Sequence, residues 1–208
     1  MLCLLLSSPS LAFAPTPLQG VEPVRLRTTT AEGQATFRQT RLWREFVEGE
    51  GRGWQARVDE RTGTPHRMWG GLPLVSRDAD ALEVEAALRA FTARHTELLG
   101  APADLPMRAL ESVDDAWYAD FQAMRDGVPI WRSALTFRIR AGSLALVGAD
   151  TYPTTPTRGA WVLDEDVAVQ RAVAGGPAPT APHTDREVSA TWLPRVEHGL
   201  LVLRAVYE

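Results

Sequence analysis

Between Trp117 and Tyr152 apolar and polar residues alternate through three successive runs, the period of two expected of half-buried strands. In the first run Trp117, Ala119, Phe121 and Ala123 share one face, opposite Tyr118, Asp120 and Gln122. In the second, Trp131, Ser133, Leu135, Phe137 and Ile139 alternate with a face that carries Arg132, Arg138 and Arg140. In the third, Leu144 and Leu146 alternate with Ala145 and Val147. Asp126-Gly127 and Ala141-Gly142-Ser143 read as tight turns, so the stretch predicts an antiparallel meander with one apolar face. Such a face needs a cover.

The cover is predicted between Asp78 and Gly100. There Ala81, Val84, Leu88, Phe91, His95 and Leu98 recur at steps of three and four and fall on one helical face. Asp80 and Glu83 are spaced for a capping box, and Gly100 is placed to stop the helix. Trp54–Asp59 and His66–Gly71 read as a hairpin across Arg61-Thr62-Gly63, and Met107–Val113 as a strand leading into Trp117. Thr36–Val47 fits neither period decisively and admits a strand or a short helix. Glu48–Gly53 reads as a loop, and residues 13–35, rich in Pro, Thr and Gly, as an extended lead-in. Pro153–Thr157 reads as a spacer, with a linker over 153–162, because closely spaced prolines interrupt a ladder. Beyond it a short helix is expected over 164–174, then two strands, Val188–Val196 and Leu200–Tyr207, paired across Glu197-His198-Gly199.

Composition narrows the partners. The 208 residues are 45% hydrophobic and 23% charged with a net charge of −4, an ordinary globular balance without the basic excess that phosphate contacts require. No nucleic-acid partner is expected. All 22 basic residues are arginine, the mark of a GC-rich genome. Met1–Ala12, an apolar run closing on Ser10-Leu11-Ala12, has the features of a secretory signal, so residues 1–12 are expected to be removed and the protein secreted, with no membrane association afterwards. Cys3, the sole cysteine, would leave with it.

Candidate chemistry is sparse. His66, His95, His183 and His198 lack the one-turn spacing of a zincin ligand pair, and no G-x-S-x-G elbow is present. His95, on the apolar helix face, is expected to be packed and hydrogen-bonded. Asp114-Asp115 and Asp59-Glu60 read as turn residues, and Asp164-Glu165-Asp166 as an acidic helix start. No catalytic set, metal site or cofactor is expected.

Phe121-Gln122 followed by Gly127-Val128-Pro129-Ile130, a polar strand, a glycine turn and a returning apolar strand resembles the fungalysin/thermolysin propeptide motif. The second turn, Ala-Gly-Ser, departs from that family's acidic-glycine pair. The C-terminal run of helix, loop and two apolar strands resembles the opening of a PepSY module. These resemblances imply an α+β, cystatin-like propeptide domain over 36–152, with an antiparallel sheet packed against one long helix, and a smaller partial α+β module over 163–208. They also imply the function: a non-catalytic pro-region, chaperone and inhibitor of a zinc metallopeptidase domain lying outside this chain, in a reading frame that continues past Glu208. Arg132, Arg138 and Arg140 are the candidate interface with that partner. The alternative is a stand-alone secreted binding or inhibitor module of the same fold.

Overall fold

A computed structural model describes residues 21–23, 30–161, 166–167, 170 and 189–207. The signal expected over residues 1–12 lies outside them, as does nearly all of the helix expected over 164–174. The described architecture is α+β, a mixed sheet covered by four helices. Among the described residues no helix is long and apolar enough to cross a membrane.

Three of the described helices begin where a hydroxyl or carboxylate receives one of their first N–H groups. Thr30 accepts from Gly33 N to start α1 (Ala31–Arg38), and Thr40 accepts from Trp43 N to start α2 (Arg41–Glu50). The undecided Thr36–Val47 segment is therefore helical, and its Trp43 and Phe46 are buried. The lead-in is shorter than expected, since α1 starts at Ala31 and Val21–Pro23 forms a strand, β1. The expected loop from Glu48 also begins later, because α2 runs to Glu50.

The predicted single long helix is two. α3 (Ala81–Arg94) starts with the expected Asp80–Glu83 capping box, ends at His95, and is followed by one turn, α4 (Thr96–Leu99), closed by Gly100 at φ 57°. The break has a local cause. The Thr96 hydroxyl donates to the carbonyls of Thr92 and Ala93, competing for the acceptors that would carry the helix on. The His95 ring is meanwhile held 4.7 Å from Phe91 and 5.0 Å from Phe46, with Nε2 2.8 Å from Glu50 Oε1. The expectation of a packed, hydrogen-bonded His95 holds. Val84, Leu88, Phe91 and Leu98 are buried as the periodicity requires, while Ala81 is exposed.

The remaining strands are β2 (Gln55–Arg57), β3 (Arg67–Pro73), β4 (Met107–Val113), β5 (Ala116–Arg125), β6 (Val128–Arg140), β7 (Ser143–Asp150), β8 (Thr157–Arg158), β9 (Ala190–Glu197) and β10 (Leu200–Tyr207). The predicted meander is β5–β6–β7, flanked by β4 on one side and the β3–β2 hairpin on the other, all antiparallel. Its turns, Asp126-Gly127 and Ala141-Gly142, have φ > 0 at both residues, the hairpin geometry matched to strand twist. The start of β6 meets β9 through one parallel bridge, Ile130 to Trp192. β9 pairs with β10 across His198-Gly199 and with β1, and β8 pairs parallel to β10.

Two cores result. In the larger, Phe121, Leu135, Phe137, Leu144 and Val147 lie under Phe46, Val84, Leu88 and Phe91, each apolar side chain stabilising by about 1.5–3 kcal/mol before entropy is counted. In the smaller, Ala123 and Ile130 meet Trp192 and Leu203. Two predicted alternations slip phase. Trp131 does not share the face of Leu135: Ile130 is buried instead, because β6 leaves its ladder between Pro129 and Ala134 and Arg132 takes φ 53°. Leu146 is likewise only part-buried, because Ala145 is the extra residue where Arg138 pairs Leu146 and Ile139 pairs Leu144, so Val147 takes the core position.

Candidate functional site: a braced strand joint and a polar cleft

The motif residues meet at the joint between the two cores. Phe121 is buried, edge-on to Phe137 at 5.7 Å, with the Arg89 guanidinium 5.2 Å from its ring. Gln122, next along the strand, points its amide into the irregularity of β6. Its Nε2 lies 2.9 Å from Ile130 O, 3.0 Å from Ser133 O and 3.1 Å from Ala123 O. Two N–H hydrogens are thus shared among three carbonyls that span the slip. Gly127 makes the turn at φ 75°, and Val128 and Pro129 pair back onto Arg125 and Met124. Pro129 offers its carbonyl to the Thr191 hydroxyl at 3.0 Å, and Trp192 Nε1 donates to Arg125 O at 3.0 Å. The motif is therefore a brace that hands the first sheet to the β9–β10 hairpin.

The three candidate interface arginines have different surroundings. Arg138 is 3.2 Å from Asp120 Oδ1 and lies over Tyr118, its guanidinium 5.0 Å from the ring. Arg140 is 3.6 Å from Asp115 Oδ2, an exposed pair worth about 0–1 kcal/mol. Arg132, exposed, lies over the Trp131 ring at 4.3 Å and has no carboxylate partner among the described residues. The face that carries these arginines is thus partly neutralised by acids on β5 and its turn.

Arg132 opens onto a cleft of about 200 Å³ lined also by Asp59, Thr62, His66, Asp150 and Tyr152. β2 and β3 present Asp59 and His66 at their connection, while Asp150 and Tyr152 follow from the end of β7. Asp150 binds both ways: Oδ1 faces His66 Nδ1, and Oδ2 accepts from Arg67 Nη1 at 2.9 Å. Arg67 reaches across β7 because residue 148 is glycine; a Cβ there would stand 2.6 Å from Arg67 Nη1. Asp59 accepts from Arg61 N at 2.9 Å. Burial pushes the Asp59 carboxyl above its usual range, against the pull of Arg61. Burial, reinforced by the charges of Asp59 and Asp150, pushes the Tyr152 phenol up to about 12. Tyr152 also walls a neighbouring cleft of about 420 Å³ that includes Ala123, Arg125 and Ile130 of the joint.

Sequence reasoning weighed Asp59 and His66 only as a turn acid and an isolated histidine, and did not single out Asp150 or Tyr152. His66 and Asp150 are separated by 84 positions, so no local spacing signals their meeting. Among the described residues no group of three His, Cys, Asp or Glu side chains is set to hold a metal ion.

No family model and no curated protein matches this sequence. Among solved structures, the chain is similar to the Bacillus megaterium YpeB C-terminal domain, with a TM-score of 0.44 and 11% sequence identity over 88% of this chain and 98% of that one. At that distance the likeness carries no argument about function.

Proposed function

We propose that this chain is a secreted, non-catalytic binding module, the pro-region of a zinc metallopeptidase, whose partner is the peptidase domain. The observation that carries the reading is the joint: Phe121, Gln122 and Gly127–Ile130, the residues of the propeptide resemblance, act together to fix how sheet and C-terminal hairpin meet. A platform held rigid in this way loses little conformational freedom on docking. By binding the folded peptidase and not the unfolded one, it stabilises the native enzyme in proportion to the logarithm of its concentration over Kd. Arg132, exposed over the Trp131 ring and without a carboxylate partner among the described residues, is the arginine best placed to meet a partner carboxylate.

Inhibition assays test this. Added to zinc peptidases purified from the secretions of the same organism, the chain is expected to inhibit one with a midpoint near or below about 1 µM. No inhibition of any of them at about 10 µM counts against the proposal. The alternative, a free-standing binding module, draws its support from the Asp59–Arg132 cleft, which lies outside the resemblance motif.

A further inference from the structure

Of the polar side chains around the smaller cleft, three satisfy one another: His66 and Arg67 both engage Asp150. Asp59 and Arg132 form no side-chain ion pair among the described residues, although the Arg61 charge acts on Asp59 and Arg132 lies over the Trp131 ring. The hydrogen bond that the Asp59 carboxylate accepts comes from a backbone N–H. Arg132 moreover holds a left-handed backbone, φ 53°, that a glycine would adopt without strain. Strained residues of this kind cluster at ligand sites. An anion alone would meet the carboxylate of Asp59; a cation alone would meet Arg132. A ligand carrying both signs satisfies the two together. The volume, about 200 Å³, is below the roughly 300–1,000 Å³ of sites for drug-sized molecules.

We propose that this cleft binds a small zwitterion of the amino-acid class, its ammonium at Asp59 and its carboxylate on the Arg132 guanidinium. The planar fork of arginine matches a carboxylate with two parallel hydrogen bonds. Burial keeps the Asp59 carboxyl above its usual range, and a bound ammonium relieves that condition by favouring the ionised form. Tyr152 closes the side toward the larger cleft. The proposal does not rest on the peptidase reading, and the two are tested by separate measurements.

Two-dimensional NMR titration of the full chain with L-alanine, propionate and ethylammonium tests it. L-alanine is expected to give saturable shifts at the cleft residues with a millimolar or lower Kd, and each half-molecule to bind about tenfold more weakly or worse. Asp59→Asn keeps the oxygen that Arg61 N–H needs, and Arg132→Gly suits the left-handed backbone, so both variants are expected to fold. Each should weaken L-alanine binding about tenfold or more. The proposal is overturned by no saturable response to L-alanine up to about 10 mM, by propionate binding as well as L-alanine, or by folded variants that bind like the parent. Should a variant unfold, the comparison of the three ligands on the parent chain decides.

Discussion

The carboxamide of Gln122 stands where β6 leaves its ladder with β5, and it supplies the donors that Ile130 and Ser133 carbonyls find there. Replacing it by Met, similar in size but without donors, should cost about 1–3 kcal/mol in urea unfolding, the penalty of half-buried carbonyls left short of a partner. Gln122→Glu should be worse at pH 7, because an ionised carboxylate only accepts. Its deficit against the parent should shrink as falling pH protonates it. A second residue-scale test uses Tyr152. Below pH 10 the phenol is protonated in both folded and unfolded chains. Between pH 10 and about 12 the unfolded chain releases the proton while the folded one retains it. Stability should therefore fall as pH rises through that window, by roughly 2–3 kcal/mol, and level off above it. The chain has no lysine, so the window is free of ammonium titrations, and Tyr152→Phe should flatten the pH dependence. Contacts at this scale were legible in the sequence only when local. Asp80 and Glu83, three apart, announce their capping box; His66 and Asp150 meet through the pairing of β3 with β7, which no spacing in either segment encodes.

Periodicity located the strands of the large sheet and the helical cover, but not where they slip or break, and it missed β1 and β8. Trp131 reads as a core residue because it continues the alternation back from Leu135, yet the left-handed turn of the backbone at Arg132 passes the buried position to Ile130. Arginine gives no warning of φ > 0 as glycine would. The two N-terminal helices did carry a readable signal: Thr30 and Thr40 stand immediately before helical residues, and Trp43 and Phe46 are three apart. What obscured it was the short length of each helix, too few turns for a period to dominate. The β6–β7 hairpin offers the sharpest element-scale prediction. Gly142 has φ 79°, its carbonyl accepts from Leu74 and Val75 N–H, and a Cβ would lie 2.5 Å from Val75 O, a backbone atom with little room to yield. Gly142→Ala should destabilise by about 2 kcal/mol or more in chemical unfolding, from strain and overpacking together. Gly127→Ala, at a turn with open space around it, should cost only the backbone strain.

At the scale of the molecule, β6 belongs to both cores, with Leu135, Phe137 and Ile139 in one and Ile130 in the other. Among the described residues the smaller core has four buried members and closes on Trp192 and Leu203 from the C-terminal hairpin. β1 and β8, drawn from before and after the large sheet, flank that hairpin. Unfolding should accordingly be one transition. Ile130→Ala, costing about 2–5 kcal/mol, should lower the midpoint seen by circular dichroism and by tryptophan fluorescence alike. Two separated transitions would show that the slip in β6 uncouples the parts. The order of strands across this joint was not readable in advance, since a single bridge between Ile130 and Trp192 leaves no periodic trace in either segment.

The arrangement also sets how the protein would be dismantled. One cut in the exposed residues 156–160 severs the covalent link that keeps the hairpin beside β6. Were the hairpin to leave, it would carry Trp192 away from Ile130 and bare greasy surface on both fragments at once, so a lone nick would commit the whole molecule to clearance.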